Sequence, residues 1–154
     1  MKNLIHLFKY RRKTVLRHFF ADLILAFIET YHLDLSSFDY LIPVPLSPAR
    51  SRERGFNQSE LIGQIISSQT HTPLLLNTLL KSRHTQSQTV LGSKERWTNI
   101  QGTFKINPNT NLNSKNICVV DDLLTTGATA DEAARTLKQA GAFRVDVLTL
   151  AIAV

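Results

Sequence analysis

The residues best suited to chemistry lie together, in the run Ile117-Cys118-Val119-Val120-Asp121-Asp122-Leu123-Leu124-Thr125-Thr126-Gly127-Ala128-Thr129. The apolar stretch 117–120 reads as a buried strand that delivers two carboxylates, Asp121 and Asp122, at its C-terminal end. A turn of small hydroxylated residues with one glycine follows, then a helix from about Ala130 to Gln139, stopped by Gly141. A strand, a small-residue turn and a helix N-terminus together form an anion site, because backbone N–H groups converge there and the helix dipole favours negative charge. Thr125, Thr126 and Thr129 add hydroxyl donors; Gly127 and Ala128 let the backbone close on a phosphate. The carboxylates suit the other end of such a ligand, accepting hydrogen bonds from sugar hydroxyls. A sugar phosphate satisfies both halves. No Gly-Lys-Ser/Thr follows the glycine, so this is not a nucleoside-triphosphate P-loop.

A second block runs Ile42-Pro43-Val44-Pro45-Leu46, then Arg50-Ser51-Arg52-Glu53-Arg54-Gly55-Phe56-Asn57-Gln58-Ser59. It reads as a strand end, a basic loop, and a sharp turn at Gly55 into a helix. Arg50 and Arg54 on such a loop could grip phosphate oxygens bidentately. Further cations, Lys81, Arg83, Lys94 and Arg96, flank a polar stretch.

Several elements must position these groups. Residues 14–31 read as an amphipathic helix with Leu16, Phe19, Phe20, Leu23, Phe27 and Tyr31 as its apolar stripe. Residues 39–46 read as a strand ended by its two prolines. Residues 58–69 form a helix capped by Asn57 or Ser59, with Leu61, Ile62, Ile65 and Ile66 inward. Leu74 to Leu76 reads as a short strand, Leu79-Leu80 as a brief helix, and 81–92 as a polar loop. Ser93 to Asn99 supplies one or two helical turns, and Thr103 to Ile106 and Arg144 to Ala153 are strands. Strands alternating with helices predict an α/β fold with a parallel sheet, whose ligands bind beyond the strand C-termini.

Composition sets limits. At 154 residues, with 43% hydrophobic and 19% charged residues, the chain reads as one soluble domain spanning 1–154. No apolar run approaches the roughly 20 residues that span a bilayer, and no secretory leader is visible, so a cytoplasmic protein without membrane insertion is expected. The single cysteine, Cys118, excludes an internal disulfide and a thiolate zinc site. The net charge of +6 is concentrated in the first 17 residues and around Arg50 to Arg54, which suits polyanions: nucleic acid or pyrophosphate. Few aromatics alternate with these cations, so no stacking platform for single strands stands out.

Asp-Asp-Leu-Leu-Thr-Thr-Gly-Ala-Thr resembles the phosphoribosyl-pyrophosphate loop of type I phosphoribosyltransferases. With the 42–59 block, and with His6-Leu7-Phe8-Lys9-Tyr10, Arg83-His84-Thr85-Gln86-Ser87-Gln88 and the stretch from Arg96 to Phe104, it resembles the ComF family, linked to DNA uptake in naturally transformable bacteria. The resemblance implies a phosphoribosyltransferase-like parallel sheet flanked by helices, with a small hood region. It implies that Thr125 to Thr129 hold a 5-phosphate and that Asp121 and Asp122 hold ribose hydroxyls. Arg50, Arg54, Arg83 or Arg96 would then meet pyrophosphate, and Mg2+ would arrive with phosphoribosyl pyrophosphate. Members of the family usually carry a four-cysteine zinc module ahead of the Lys-Tyr segment, and this sequence starts almost at that segment.

Three functions fit these residues. The first, favoured by the resemblance, is a ComF-type protein that binds phosphoribosyl pyrophosphate and assists incoming single-stranded DNA alongside competence proteins. The second is an active phosphoribosyltransferase of nucleotide salvage, displacing pyrophosphate at the anomeric carbon through an oxocarbenium-like transition state. The third is a regulatory phosphoribosyl-pyrophosphate-binding module.

Overall fold

The computed structural model describes residues 15–81 and 93–152. Its elements in chain order are α1 (Val15–Thr30), β1 (Tyr40–Pro43), α2 (Pro48–Arg54), α3 (Gln58–Thr70), β2 (Leu79–Lys81), α4 (Ser93–Ile100), β3 (Phe104–Ile106), β4 (Asn116–Leu124), α5 (Ala128–Gln139) and β5 (Arg144–Ile152). Strands β1, β4 and β5 form a parallel sheet with β4 in the middle, and β2 pairs antiparallel with β3. This is the expected α/β architecture, with β2, α4 and β3 as the smaller accessory region.

Because successive strand side chains point to opposite faces, β4 builds two cores. Ile117 and Val119 join Ile42, Ala133 and Leu137 on the α5 side. Cys118 and Val120 join Ile24, Leu41, Ile62 and Ile66 on the side of α1 and α3. Each fully buried aliphatic side chain here contributes about 1.5–3 kcal/mol. Alanines at 128, 130 and 133 let α5 lie close on the sheet, where bulkier residues would hold it off.

Four expectations need correction. The stripe assigned to α1 is rotated: Phe20 and Ile24 face inward, whereas Phe19, Phe27 and Tyr31 are exposed, the last two as a ring pair 4.7 Å apart. This helix is apolar nearly all round, so its periodicity does not select a face. Residues 48–54 form a helix rather than a loop. Ser47 caps it, its Oγ accepting from the Arg50 N–H, Pro48 sits in the first turn, and Gly55 closes it in the left-handed region at φ 75°. Leu79-Leu80 is strand, because Ile106 and Lys105 offer a ladder that two residues could not replace with helix. Leu74 to Leu76 contributes only a single bridge, Leu74 to Leu41. Segments 6–10 and 83–88 lie outside the described residues.

Candidate functional site

The acid pair sits on the middle strand, but within it rather than at its end, since β4 continues to Leu124. The two carboxylates are not equivalent. Asp121 is half-buried; its Oδ1 accepts from Ser59 Oγ at 3.1 Å and from the Asp122 N–H at 2.8 Å. Asp122 is buried, 7% exposed. The face alternation also shifts here: Val120 packs towards α1 and α3, and three residues on Leu123 packs against Phe20 of α1. Asp121 is thereby linked to the N-terminal turn of α3. Asn57 caps that turn, accepting from the Ser59 N–H and donating to the Val44 carbonyl at 3.0 Å, so β1, α3 and the acid pair are joined by one polar chain.

After Leu124 the chain turns through Thr125 and Thr126 into Gly127, which adopts φ 80° and carries no side chain to cap α5. An L-residue is strained at that angle, although a Cβ placed there would meet nothing within 4 Å. The space above the turn is therefore open, and the helix begins two residues earlier than its apolar pattern indicates. Thr126 Oγ1 accepts from the Ala128 N–H at 3.4 Å, and the Gly127 carbonyl accepts from Asp131 at 2.9 Å. Thr125 is exposed and Thr129 half-buried. The arrangement is a helix N-terminus beside an open turn, at the C-terminal edge of the sheet, as an anion site requires.

Of the expected cations, Arg50 and Arg54 lie four residues apart on one side of α2, both half-buried, while Arg52 is exposed. Arg54 Nη1 donates to Gln58 Oε1 at 3.4 Å. Arg83 lies outside the described residues. Arg96 is placed on α4, and its side chain lies outside them. Lys81, which the sequence offered only as one of the cations flanking a polar stretch, is electrostatically coupled to the site. Lys81, the last residue of β2, is half-buried with its Nζ 5.6 Å from the Phe104 ring centroid. Burial first, then the charge of Arg50, lowers its pKa to about 8, and Asp121 opposes the shift.

Glu132 is a residue the sequence did not single out. It is 2% exposed on α5, where its Oε1 accepts from the Gly102 N–H at 2.8 Å and its carboxylate takes a bidentate contact from Arg135 at 2.7–3.0 Å. That contact fastens the turn between α4 and β3 to the helix that opens the anion site. Its only signal in the sequence was an acid set directly before Ala133 and Ala134 on the inward side of the helix. Cys118 is inert: burial, reinforced by Asp146, pushes its thiol up to about 12. Among the described residues no cluster of three or more His, Cys, Asp or Glu could hold a metal ion, and no helix is long and apolar enough to cross a membrane.

No protein-family model matches the chain. Curated relatives do. Competence protein F of Haemophilus influenzae is 34% identical over 112 residues, covering 72% of this chain and 49% of that protein. DNA utilization protein YhgH of Escherichia coli is 31% identical over 151 residues, 96% of this chain and 65% of its own length. Competence protein ComFC of Bacillus subtilis is 32% identical over 143 residues, 92% of this chain and 55% of its own length. The chain therefore spans between half and two thirds of the relatives it matches. Among solved structures, an adenine phosphoribosyltransferase superposes with a TM-score of 0.55 at 16% identity, covering 94% of this chain and 74% of the other. The Saccharomyces cerevisiae enzyme of that name gives 0.52 at 14% identity, over 94% and 72%. At such identities the likeness shows the fold alone. The chain is thus homologous to these competence and DNA utilization proteins over most of its length and is built on the type I phosphoribosyltransferase fold.

Proposed function

We propose that this chain binds phosphoribosyl pyrophosphate at the C-terminal edge of its parallel sheet and serves the use of incoming single-stranded DNA. The observation that carries the reading is the sequence of parts on one connection: carboxylates on the middle strand, an open left-handed glycine turn, and the N-terminus of a twelve-residue helix. In this reading the N–H groups at the start of α5, with the hydroxyls of Thr125, Thr126 and Thr129, take the sugar's phosphate. Asp121 exchanges its Ser59 hydroxyl for a ribose hydroxyl, an even trade of one neutral donor for another. Asp122, buried beside it, restricts what shape of sugar can approach. Among the described residues no group of three or more His, Cys, Asp or Glu is placed to hold a metal ion, so magnesium would come with the phosphates of the ligand. The role in DNA use rests on the names of the relatives, two of them competence proteins and one a DNA utilization protein, and on the +6 net charge.

The test is calorimetric titration of phosphoribosyl pyrophosphate with magnesium into the protein and into an Asp121→Asn/Asp122→Asn variant whose circular dichroism matches it. Saturable binding that the double variant loses supports the site; no heat in the folded wild type overturns it. A labelled oligonucleotide titrated at 50 and 200 mM salt tests the DNA half. Affinity independent of salt argues against contact through the basic surfaces.

A further inference from the structure

Among the described residues the parallel sheet has one long open edge, β5. The opposite edge is closed. There β1 has four residues, ends at Pro43, and is covered on its outer side, the Leu41 N–H donating to the Pro73 carbonyl and the Leu75 N–H to the Leu41 carbonyl. The nine residues of β5 pair with β4 alone, in a constant register without a bulge, and include neither proline nor glycine. Its charged residues, Arg144 and Asp146, stand at one end and pair with each other. Edge strands of soluble proteins are usually short, bulged, or broken by proline or charge, because an open row of N–H and C=O groups recruits another strand. None of those devices guards the stretch from Val147 to Ile152, and both of these residues are exposed.

One backbone contact fixes which groups face outward. The Arg144 N–H donates to the Lys115 carbonyl, at the entry to β4. Because backbone groups alternate along a strand, the even-numbered residues of β5 face β4. Val145, Val147, Thr149 and Ala151 then turn their N–H and C=O groups to the open edge. Among the described residues no strand meets them, and the Ala151 carbonyl accepts only the Thr149 hydroxyl, at 3.3 Å, on one of its two lone pairs. A second copy of the same strand, running antiparallel, satisfies all of these groups in a single register. With the two-fold axis at Leu148, Val145 pairs with Ala151 of the second copy and Val147 with its Thr149, and the reciprocal pairs follow. Leu148 meets its own counterpart. With Leu150, Leu23 and Phe27 it lines an apolar cavity of about 150 Å³ between β5 and helices α1 and α3, so apolar surface continues across the axis. Charge points the same way. Arg144 and Asp146 cancel, leaving this edge neutral on a chain of net charge +6. Copies therefore meet here without the repulsion of their basic surfaces, whereas nucleic acid or a strongly charged protein finds no complementary charge.

We propose that β5 is a self-association edge, through which two copies of this chain join their three-stranded sheets into one. Because the joined strands run antiparallel, the C-terminal edges of the two halves point in opposite directions and both anion turns stay open.

The experiment measures mass by sedimentation equilibrium for the full chain, for Val147→Lys and for Val147→Pro. The Val147 N–H points outward, so proline there leaves the ladder with β4 intact. Wild type is expected at twice the mass of one chain, and both variants, with circular dichroism matching wild type, at the mass of one. A monomeric wild type overturns the proposal, as does a dimer that both variants keep. Oxidation of Leu148→Cys reads the register, and the buried Cys118 does not compete. Only pairing centred on residue 148 brings its two Cβ atoms within roughly 5.5 Å, so a covalent dimer is expected there and none for Leu150→Cys. Cross-linking at 150 and not at 148 overturns the pairing. Hydrogen exchange reveals any other occupant: protected Val147 and Thr149 amides in a monomer mean that a different segment covers the edge, which overturns the second copy.

Discussion

A charge kept near another cation and away from water must cost the folded protein stability, and Lys81 allows that cost to be measured. Its pKa falls from 10.5 to about 8 on folding. At 1.36 kcal/mol per pKa unit, holding the ammonium in the folded state costs about 3 kcal/mol. The sign follows from linkage. The unfolded chain binds the proton more tightly, so the penalty is complete below pH 8, shrinks as pH rises from 8 to 10.5, and vanishes above that. Lys81→Met keeps the unbranched stem against Phe104 and removes the charge. At pH 7 it should therefore stabilise the empty protein by up to about 3 kcal/mol, a rise in Tm of about 6–12 °C for a chain of this size. Urea denaturation at pH 7, 8.5 and 10 is the assay, with urea chosen over guanidinium so that ionic strength stays fixed. The midpoint should shift upwards at pH 7 with unchanged slope, and the advantage should narrow at pH 10 as wild type sheds its proton. A variant no more stable than wild type at pH 7, or one whose advantage does not change with pH, refutes the argument that Lys81 is held at a cost.

Glu132 should behave in the opposite way. Glu132→Ala removes the acceptor for the Gly102 N–H and the partner of Arg135 from a buried position, and should destabilise by about 3 kcal/mol in urea. Glu132→Gln keeps a carbonyl oxygen for Gly102 and should cost about 1 kcal/mol. Hydrogen exchange at the Gly102 amide distinguishes local from global effects: unchanged exchange in Glu132→Ala would mean that the contact does not hold this turn. Cys118, with its thiol pushed up to about 12, should resist thiol reagents at pH 8 in the native protein and react only on unfolding. Rapid labelling without denaturant would show that the sheet opens locally around β4.

The local parts of this molecule were legible in the sequence because local rules write them. The apolar run before Asp121, the glycine of the turn and the alanine-rich helix after it follow from strand burial, positive φ and helical spacing, each readable within a dozen residues. Alternation of strands and helices likewise led to a parallel sheet. Helix α2 was written there too, in the Ser47-Pro48 start and the Gly55 stop that bracket its arginines. Other features depend on partners far away in the chain. Ser59 meets Asp121 across 62 residues, and Gly102 meets Glu132 across 30. Leu79 becomes strand only because β3 offers it a ladder, and the inward face of α1 is chosen by the sheet it covers. Residue type and spacing thus determined which chemistry the chain could carry. Tertiary structure decided which charges meet, because burial and electrostatic neighbourhood, which set the character of Lys81, do not exist until the elements pack.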